Sequence, residues 1–411
     1  MKNKQRLMVI GAGPLQLPAI KKGKEMGLEV IAIDFDPKAP GFKYADKSFL
    51  ISTVDIEGAV MKARELGVDA VITVATDRPM RTVAAIGKEL GLNTISIETA
   101  ETATNKARMR ERLDLFSVPI PNYHIVSTYS DFCNYVKSCD DMQISKPADN
   151  SGSRGVCIIK HGDDLRKIYE YSSKSSLSGE VVVESYMKGP EVSVETLTVD
   201  GKTEVISITD KITTGAPNFV EMGHSIPSLL SNDIKEKIRN VAIRAVEAIG
   251  IVNGPSHTEI IVTNEGPKIV ELGARLGGDN ITSHLVPLAT GVNMIECCIN
   301  IALGKKPDLE KRINKGSAIR YIKCNEGKII SINGINEALN INGVEVLQID
   351  KNPGDIIEQV HNSANRVGYV IAQAENLADA IKICSKALNM VEINMLINEA
   401  LVEVASTVES N

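Results

Sequence analysis

The sequence predicts a multidomain protein that joins an α/β domain to α+β domains. Three observations carry this reading. Residues 1–100 alternate apolar strand runs with helical stretches, the rhythm of βαβ units and a parallel sheet. Residues 122–200 change to strand pairs joined by short turns, the pattern of antiparallel sheets with helical covers. The length, 411 residues, suits two to four domains and a large core.

The elements follow in order. Leu7–Ile10 is a buried strand ending in Gly11-Ala12-Gly13-Pro14. A helix over 18–26, a strand over 29–34, a helix over 57–66, a strand over 70–74 and a helix over 78–90 complete the first domain. A charged helix over 100–116 leads to Val118-Pro119-Ile120-Pro121, which reads as a domain boundary. Strands pair at 143–147 with 156–159, and at 192–199 with 203–209 across Asp200-Gly201. Helices over 163–171 and 233–249 cover them. From residue 305 the chain is strand-rich again, at 317–323, 327–332 and 343–349, and ends in helices over 377–388 and 393–405.

Composition excludes several classes. The net charge is −6 with both signs mixed along the chain, so no basic tract marks a nucleic-acid or anionic-membrane partner. Trp is absent and aromatics are 4%, which leaves little for stacking on bases. The seven cysteines contain no Cys-x-x-Cys and read as reduced residues of a cytoplasmic protein. The N-terminal apolar run is too short for a signal peptide, and no stretch approaches the ~20 apolar residues of a membrane helix.

The chemistry concentrates in a few motifs. In GPSHTEIIVTNEGPKIVELGARLGGD, a hairpin with the turn Asn264-Glu265-Gly266 pairs Thr263 with Pro267. That register sets Glu259 opposite Glu271. Cross-strand side chains lie roughly 4.5–5.5 Å apart, and facing like charges repel. A hard divalent cation between them removes the repulsion; Mg²⁺ commonly shares its shell between one or two carboxylates and phosphates. Upstream, the loop Ser151-Gly152-Ser153-Arg154-Gly155 joins two strands, and small residues let backbone N–H groups converge on phosphate oxygens. Lys146 stands just before it as a point charge for phosphates. The strand 181–183 runs into Glu184-Ser185-Tyr186-Met187, a slot for an adenine edge, with Glu191 beyond for ribose hydroxyls. Lys211 ends a strand where it would meet a γ-phosphate. Arg275 follows the second glutamate, and its planar fork suits a carboxylate or a transferring phosphoryl group. Asp77, Arg78, His224 and His257 are candidates on the substrate side. A competing nicotinamide reading rests on Gly11, Gly13 and Asp34, but Gln16 occupies the third glycine position of that fingerprint.

The ordered set Lys106, Lys146, 151–155, 184–187, Glu191, Lys211, Glu259, Glu271 and Arg275 resembles the ATP-grasp enzymes over about residues 1–305. The remainder is similar to the C-terminal domain of the biotin-carboxylase-like branch, especially L-amino-acid ligases. The resemblance implies a Rossmann-like pre-domain over 1–100. It implies an ATP-grasp domain over 101–304, with a nucleotide-covering lobe near 122–187 and a metal lobe near 188–304. A small α+β domain over 305–411 would follow. It implies that Lys106 and Lys146 hold ATP phosphates under the loop of Ser151, Gly152, Ser153 and Gly155. Glu184, Ser185, Tyr186 and Met187 would bind adenine, Glu191 ribose, and Lys211 the γ-phosphate. Glu259 and Glu271 would hold Mg²⁺, with Mn²⁺ as a substitute, and Arg275 would steady an acyl phosphate. The family often carries Glu-x-Asn-x-Arg at the second metal strand; here Gly273 replaces the Asn. The implied activity is ligation of a small carboxylate to an amine, on amino acids or similar metabolites, with release of ADP and phosphate. Phosphoribosylglycinamide synthetase-type and carbamoyl-phosphate synthase-like enzymes are the runners-up, and a non-catalytic nucleotide-binding protein is a further alternative. A homodimer is a family-level expectation.

Overall fold

The computed structural model describes residues 4–397 and 400–405. The chain divides into two compact units. The first comprises Met1–Ile208, Leu230–Pro287 and Val292–Glu310, and the second Thr209–Leu229, Leu288–Gly291 and Lys311–Asn411.

The first unit opens with the expected parallel sheet. Arg6–Ile10 lies between Glu29–Asp34 and Ala70–Ile72, all parallel. A strand that the pattern did not reveal, Lys47–Leu50, adds to the outer edge. It is mostly exposed, so no burial alternation marks it. The Gly-rich turn after the first strand is closed from within. The Gln16 side chain donates from Nε2 to the Val74 carbonyl at 2.7 Å, and a methyl added at Gly11 or Gly13 would meet it at 3.1 Å. Asp34, the candidate ribose acid, accepts from the Ala12 and Asp36 N–H groups at 2.7 and 3.0 Å. The groups behind the nicotinamide reading are committed to their own loop.

The charged helix expected over 100–116 is instead two helices, Ile97–Ala103 and Lys106–Leu115. Asn105 breaks them apart: its side chain accepts from the Arg108 N–H and caps the second helix. Capping places Lys106 at the first helical position, on a terminus rather than mid-helix.

A four-stranded sheet follows, in the order Tyr123–Val126, Val181–Ser185, Gln143–Pro147, Cys157–Ile159. Val126, Ile159, Val181 and Val183 pack one face against Phe132 of helix Tyr129–Ser138 and against helix Leu165–Ser175. Val182 and Ala148 pack the other against Ala107 of the helix that starts at Lys106. The strand between, with residues buried on both faces, therefore reads as a continuous Val run.

The last sheet of this unit runs Gly266–Gly273, Gly254–Thr263, Glu191–Val199, then Lys202–Thr213, whose far end belongs to the second unit. Its strands separate their faces by parity. Val192, Val194, Ile260, Ile269 and Leu272 join the core with Ile238, Ala242 and Ala245 of helix Asn232–Ile249. Glu191, Ser193, Glu195, His257, Glu259 and Glu271 fall on the opposite face by register.

The second unit contains Glu221–Ile226, Gly316–Tyr321, Gly368–Ala374 and Val344–Ile349, covered by helix Leu377–Met390 through Leu377, Ala380, Cys384 and Leu388. A second sheet orders Ile356–Ile357, Gly327–Asn333, Glu392–Ile397 and Ala400–Ala405. The terminal segment was expected to be a helix over 393–405; it forms an antiparallel strand pair instead. Glu392-Ile393-Asn394-Met395 alternates polar and apolar at period two, a strand signal that the apolar run after it obscured. Among the described residues no single helix is long and apolar enough to cross a membrane.

Candidate active site

The hairpin keeps the two glutamates opposite each other, by a different route from the expected one. The turn is two residues, Asn264-Glu265, because Thr263 pairs with Gly266 and Val262 with Pro267. A bulge beyond Ile269 makes up the missing residue, so Glu259 still pairs with Glu271. Val270 is the extra residue, and its carbonyl accepts from Arg110 Nη2 at 2.7 Å. The neighbouring Ile269 N–H donates to the Pro119 carbonyl at 2.9 Å. The register at the carboxylates is pinned locally, by the bulge and these two bonds.

Both carboxylates have protein cations beside them. Lys106 Nζ stands 3.0 Å from Glu271 Oε1 and donates to the Asn150 carbonyl at 2.8 Å. His257 Nε2 lies 3.5 Å from Glu259 Oε1, while its Nδ1 lies 2.6 Å from Glu195 Oε1. Burial works against charge on His257, but Glu195, and then Glu259, raise it to about 9, so the ring is cationic at neutral pH. The second oxygen of Glu195 has no hydrogen-bond partner. Gly277 packs on this pair; a methyl there would meet His257 Nδ1 at 2.7 Å and the Glu195 oxygens at 2.9 Å. Facing charge alone therefore does not demand a metal. The donor chemistry still fits one: two partly exposed carboxylates on one face, with hard oxygen atoms. Among the described residues no cluster of three or more His, Cys, Asp or Glu that could hold a metal ion forms.

A cavity opens at Glu271. It is lined by Asp77, Arg78, Lys106, Asn150 and Ser151 among others, with roughly 280 Å³ of space that is open to solvent. The Ser151–Gly155 loop rises from it with left-handed backbone at Gly152, Ser153 and Gly155. Its base is fixed by Asp149, which accepts from Ser176, Leu177 and Ser178, and by Asn150, which donates to the Ser175 carbonyl. Residues 152–154 at the tip are exposed, while Ser172 Oγ donates to the Gly155 carbonyl and anchors the loop's far end.

Glu184 is fully enclosed. Its two oxygens meet Arg110 Nε and Lys146 Nζ, each at 2.7 Å. Burial pushes its carboxyl up, but Arg110 and Lys146 outweigh this and hold it down to about 2. Its carboxylate is thus engaged in orienting Lys146. The Ser185 and Tyr186 N–H groups donate to the Asn122 and Met142 carbonyls, which ties the start of this segment to its own sheet. Arg110 was not singled out from the sequence; a third basic residue in KARMRERLDL carries no local signal that it faces inward.

Arg275 is held by Asp77. Nε and Nη2 donate to the two carboxylate oxygens at 2.8 and 3.0 Å, a bidentate fork. Burial opposes its charge, and Asp77 more than restores it, so its pKa is raised. Glu191 shares the face of Glu259 by register. Lys211 and His224 belong to the second unit, where they are cross-strand partners; Lys211 Nζ is 3.7 Å from Glu221. Arg320, on the neighbouring strand, donates to the His224 carbonyl and to Ser225 Oγ.

The small-residue loop beside a cavity lined by both signs of charge, and the opposed carboxylates, make up the candidate site. Residues 142–283 match the ATP-grasp domain, and residues 320–395 match the L-amino acid ligase C-terminal domain 2. The chain thus carries an ATP-grasp domain, and its ligase relatives support an enzyme that forms carbon–nitrogen bonds. It is 28% identical to alanine–anticapsin ligase of Bacillus subtilis over 62% of this chain and 58% of that protein. It thus spans less than two thirds of that relative. It is 24% identical to phosphoribosylamine–glycine ligase of Methanococcus vannielii over 93% of each chain. The fold superposes on the L-amino acid ligase from Bacillus licheniformis with a TM-score of 0.81, at 22% identity, covering 96% of this chain and 99% of that one.

Proposed function

We propose that this enzyme joins an amino acid, or a similar small carboxylate, to an amine at the expense of ATP. The substrate carboxylate oxygen bonds to the γ-phosphorus and ADP leaves. The amine nitrogen then attacks the acyl carbon, phosphate departs, and the nitrogen gives up a proton. Such transfer needs positioning and charge neutralisation more than covalent catalysis. Lys106 and Lys146 hold the phosphates beneath the loop of Ser151, Gly152, Ser153 and Gly155. Glu184, by fixing Lys146, and residues Ser185–Met187 bound the adenine slot, with Glu191 at the ribose. Glu259 and Glu271 would hold Mg²⁺, or Mn²⁺ in its place, and the ion would neutralise charge on the phosphate tail. Arg275 steadies the transferring phosphoryl group, and Arg78 and His257 orient substrate. The domains divide as 1–100, 101–304 and 305–411. The enzyme works in the cytoplasm, as a homodimer.

One observation carries this reading: Glu259 and Glu271 share a face, and Glu271 opens with Lys106 onto the cavity beneath the Ser-Gly loop. The 93% mutual coverage with a phosphoribosylamine–glycine ligase favours a second reading, in which the amine is a ribosylamine. Incubation with ATP, Mg²⁺ and amino-acid pairs, against phosphoribosylamine with glycine, separates the two. Phosphate release and a dipeptide-like product are expected with the amino acids; turnover with the ribosylamine alone reverses the choice.

A further inference from the structure

The Asp77–Arg275 pair joins two distant parts of the first unit. Asp77 lies on the loop between strand Ala70–Ile72 and helix Met80–Leu90. Arg275 follows the carboxylate hairpin. The backbone stitches the two together: Val74 bridges Leu276 in parallel, and the Ala75 N–H donates to the Leu276 carbonyl at 3.1 Å. Ala75 takes a φ of 64° there, an unfavourable conformation for a residue with a side chain. The contact is therefore built in rather than incidental.

Gly273 belongs to the same arrangement. Its backbone is ordinary, so the absence of a side chain is what matters. A methyl at this position would lie 2.5 Å from Asp77 Oδ1 and 3.1 Å from the guanidinium carbon and Nε of Arg275. The space where a longer residue was expected is filled by Asp77.

The fork geometry decides which donors remain. A guanidinium has five N–H groups. Asp77 takes the Nε and Nη2 side, and Nη1 gives one contact of 3.4 Å to the Leu276 carbonyl. Among the described residues that leaves one hydrogen on each terminal nitrogen without a protein acceptor. Two parallel donors at fixed spacing match two oxygens of a phosphoryl or carboxylate group. We infer that Asp77 is a positioning residue, which clamps one edge of Arg275 so that the end-on edge faces the reacting group, and that Gly273 is bare to admit it. This rests on the role of Arg275 in the proposed reaction.

The test is a set of five variants: Arg275→Ala, Asp77→Asn, Asp77→Ala, Gly273→Ala and the double Asp77→Ala/Gly273→Ala. Phosphate release is measured with Mg-ATP and a mixture of the twenty amino acids, with kcat and KM for ATP separated, and crystal structures are determined of Asp77→Ala and Gly273→Ala. Misplacement of a reacting group by about 1 Å can cost about 100-fold. Asp77→Ala is expected to lose about that factor in kcat with KM for ATP within about twofold, and Asp77→Asn about tenfold. Gly273→Ala should match Asp77→Ala alone yet add little to it in the double variant, because both remove the same clamp. Arg275 should move by about 1 Å or more in both structures. An unmoved Arg275, or single-variant losses that multiply in the double, overturns the inference whatever the substrate. Full kcat in Asp77→Ala beside a dead Arg275→Ala does the same, whereas full kcat in Arg275→Ala refutes the parent reading of Arg275.

Discussion

Two glutamates of the first unit sit in opposite circumstances. Glu184 is sealed inside the small sheet, with Arg110 and Lys146 on its two oxygens. Glu271 keeps 29% of its side chain accessible and has Lys106 on one oxygen. The first carboxylate is complete without a ligand. The second retains open coordination beside a cavity. The contrast teaches where function resides: a charge whose valences are all satisfied by protein builds the scaffold, and one left partly unsatisfied at a cleft is available for chemistry.

The largest effect that sharpens this contrast is on stability. Glu184→Gln removes the negative charge and leaves two buried cations facing each other. Removing one partner of a buried pair typically costs about 3–5 kcal/mol. A urea unfolding midpoint near wild type would mean that Lys146 and Arg110 find other counter-charges. The same carboxylate gives a pH signature. Its pKa is held at about 2, below the ordinary 4.5, so the unfolded chain takes up the proton first. Its stabilisation is present above pH 4.5 and is lost as pH falls toward 2. Glu184→Gln should flatten that acid limb, and an identical slope in both proteins would sink the assignment.

Next in size is the open member of the pair. Glu271→Gln is expected to lower Mg²⁺-dependent turnover by at least about 100-fold, the scale of losing one key electrostatic group. Its stability should change by no more than about 1 kcal/mol, because the site is partly solvated and Lys106 retains the Asn150 carbonyl. Turnover that survives, or a collapse of stability, would make Glu271 resemble Glu184 and erase the distinction.

Much of this was legible in the sequence, for reasons that differ by residue. A hairpin turn between two strand runs set a register that placed Glu259 opposite Glu271, so the pair could be read from the turn and the strand period together. The ordered lysines and the small-residue loop were likewise local signals. Asp77 and Arg110 show the limit. Asp77 was singled out for a substrate rather than for Arg275, 198 positions away, and Arg110, 74 positions from Glu184, carries no local sign that it faces inward. The split of the 100–116 helix was present in Asn105, a capping residue, but the surrounding charges suggested a continuous run. The C-terminal strand pair was missed because a short apolar segment fits either period.

The hairpin tip offers the smallest effect. The sequence placed the register in the turn; the structure places it in the Val270 bulge, tied by Arg110 to the Val270 carbonyl. If the turn governed, one glycine inserted between Asn264 and Glu265 would slide every pair and throw Glu271 to the other face. With the bulge governing, the added residue stays in the exposed tip. Lengthening a loop costs well under 1 kcal/mol, since even a doubling costs about 0.6. Turnover should then remain within about twofold of wild type. Deleting Val270 tests the converse, because Arg110 loses its acceptor and the strand must redistribute its twist while the outer pairs stay in step. An inserted glycine that abolishes turnover, beside a harmless deletion of Val270, would return control of the site to the turn.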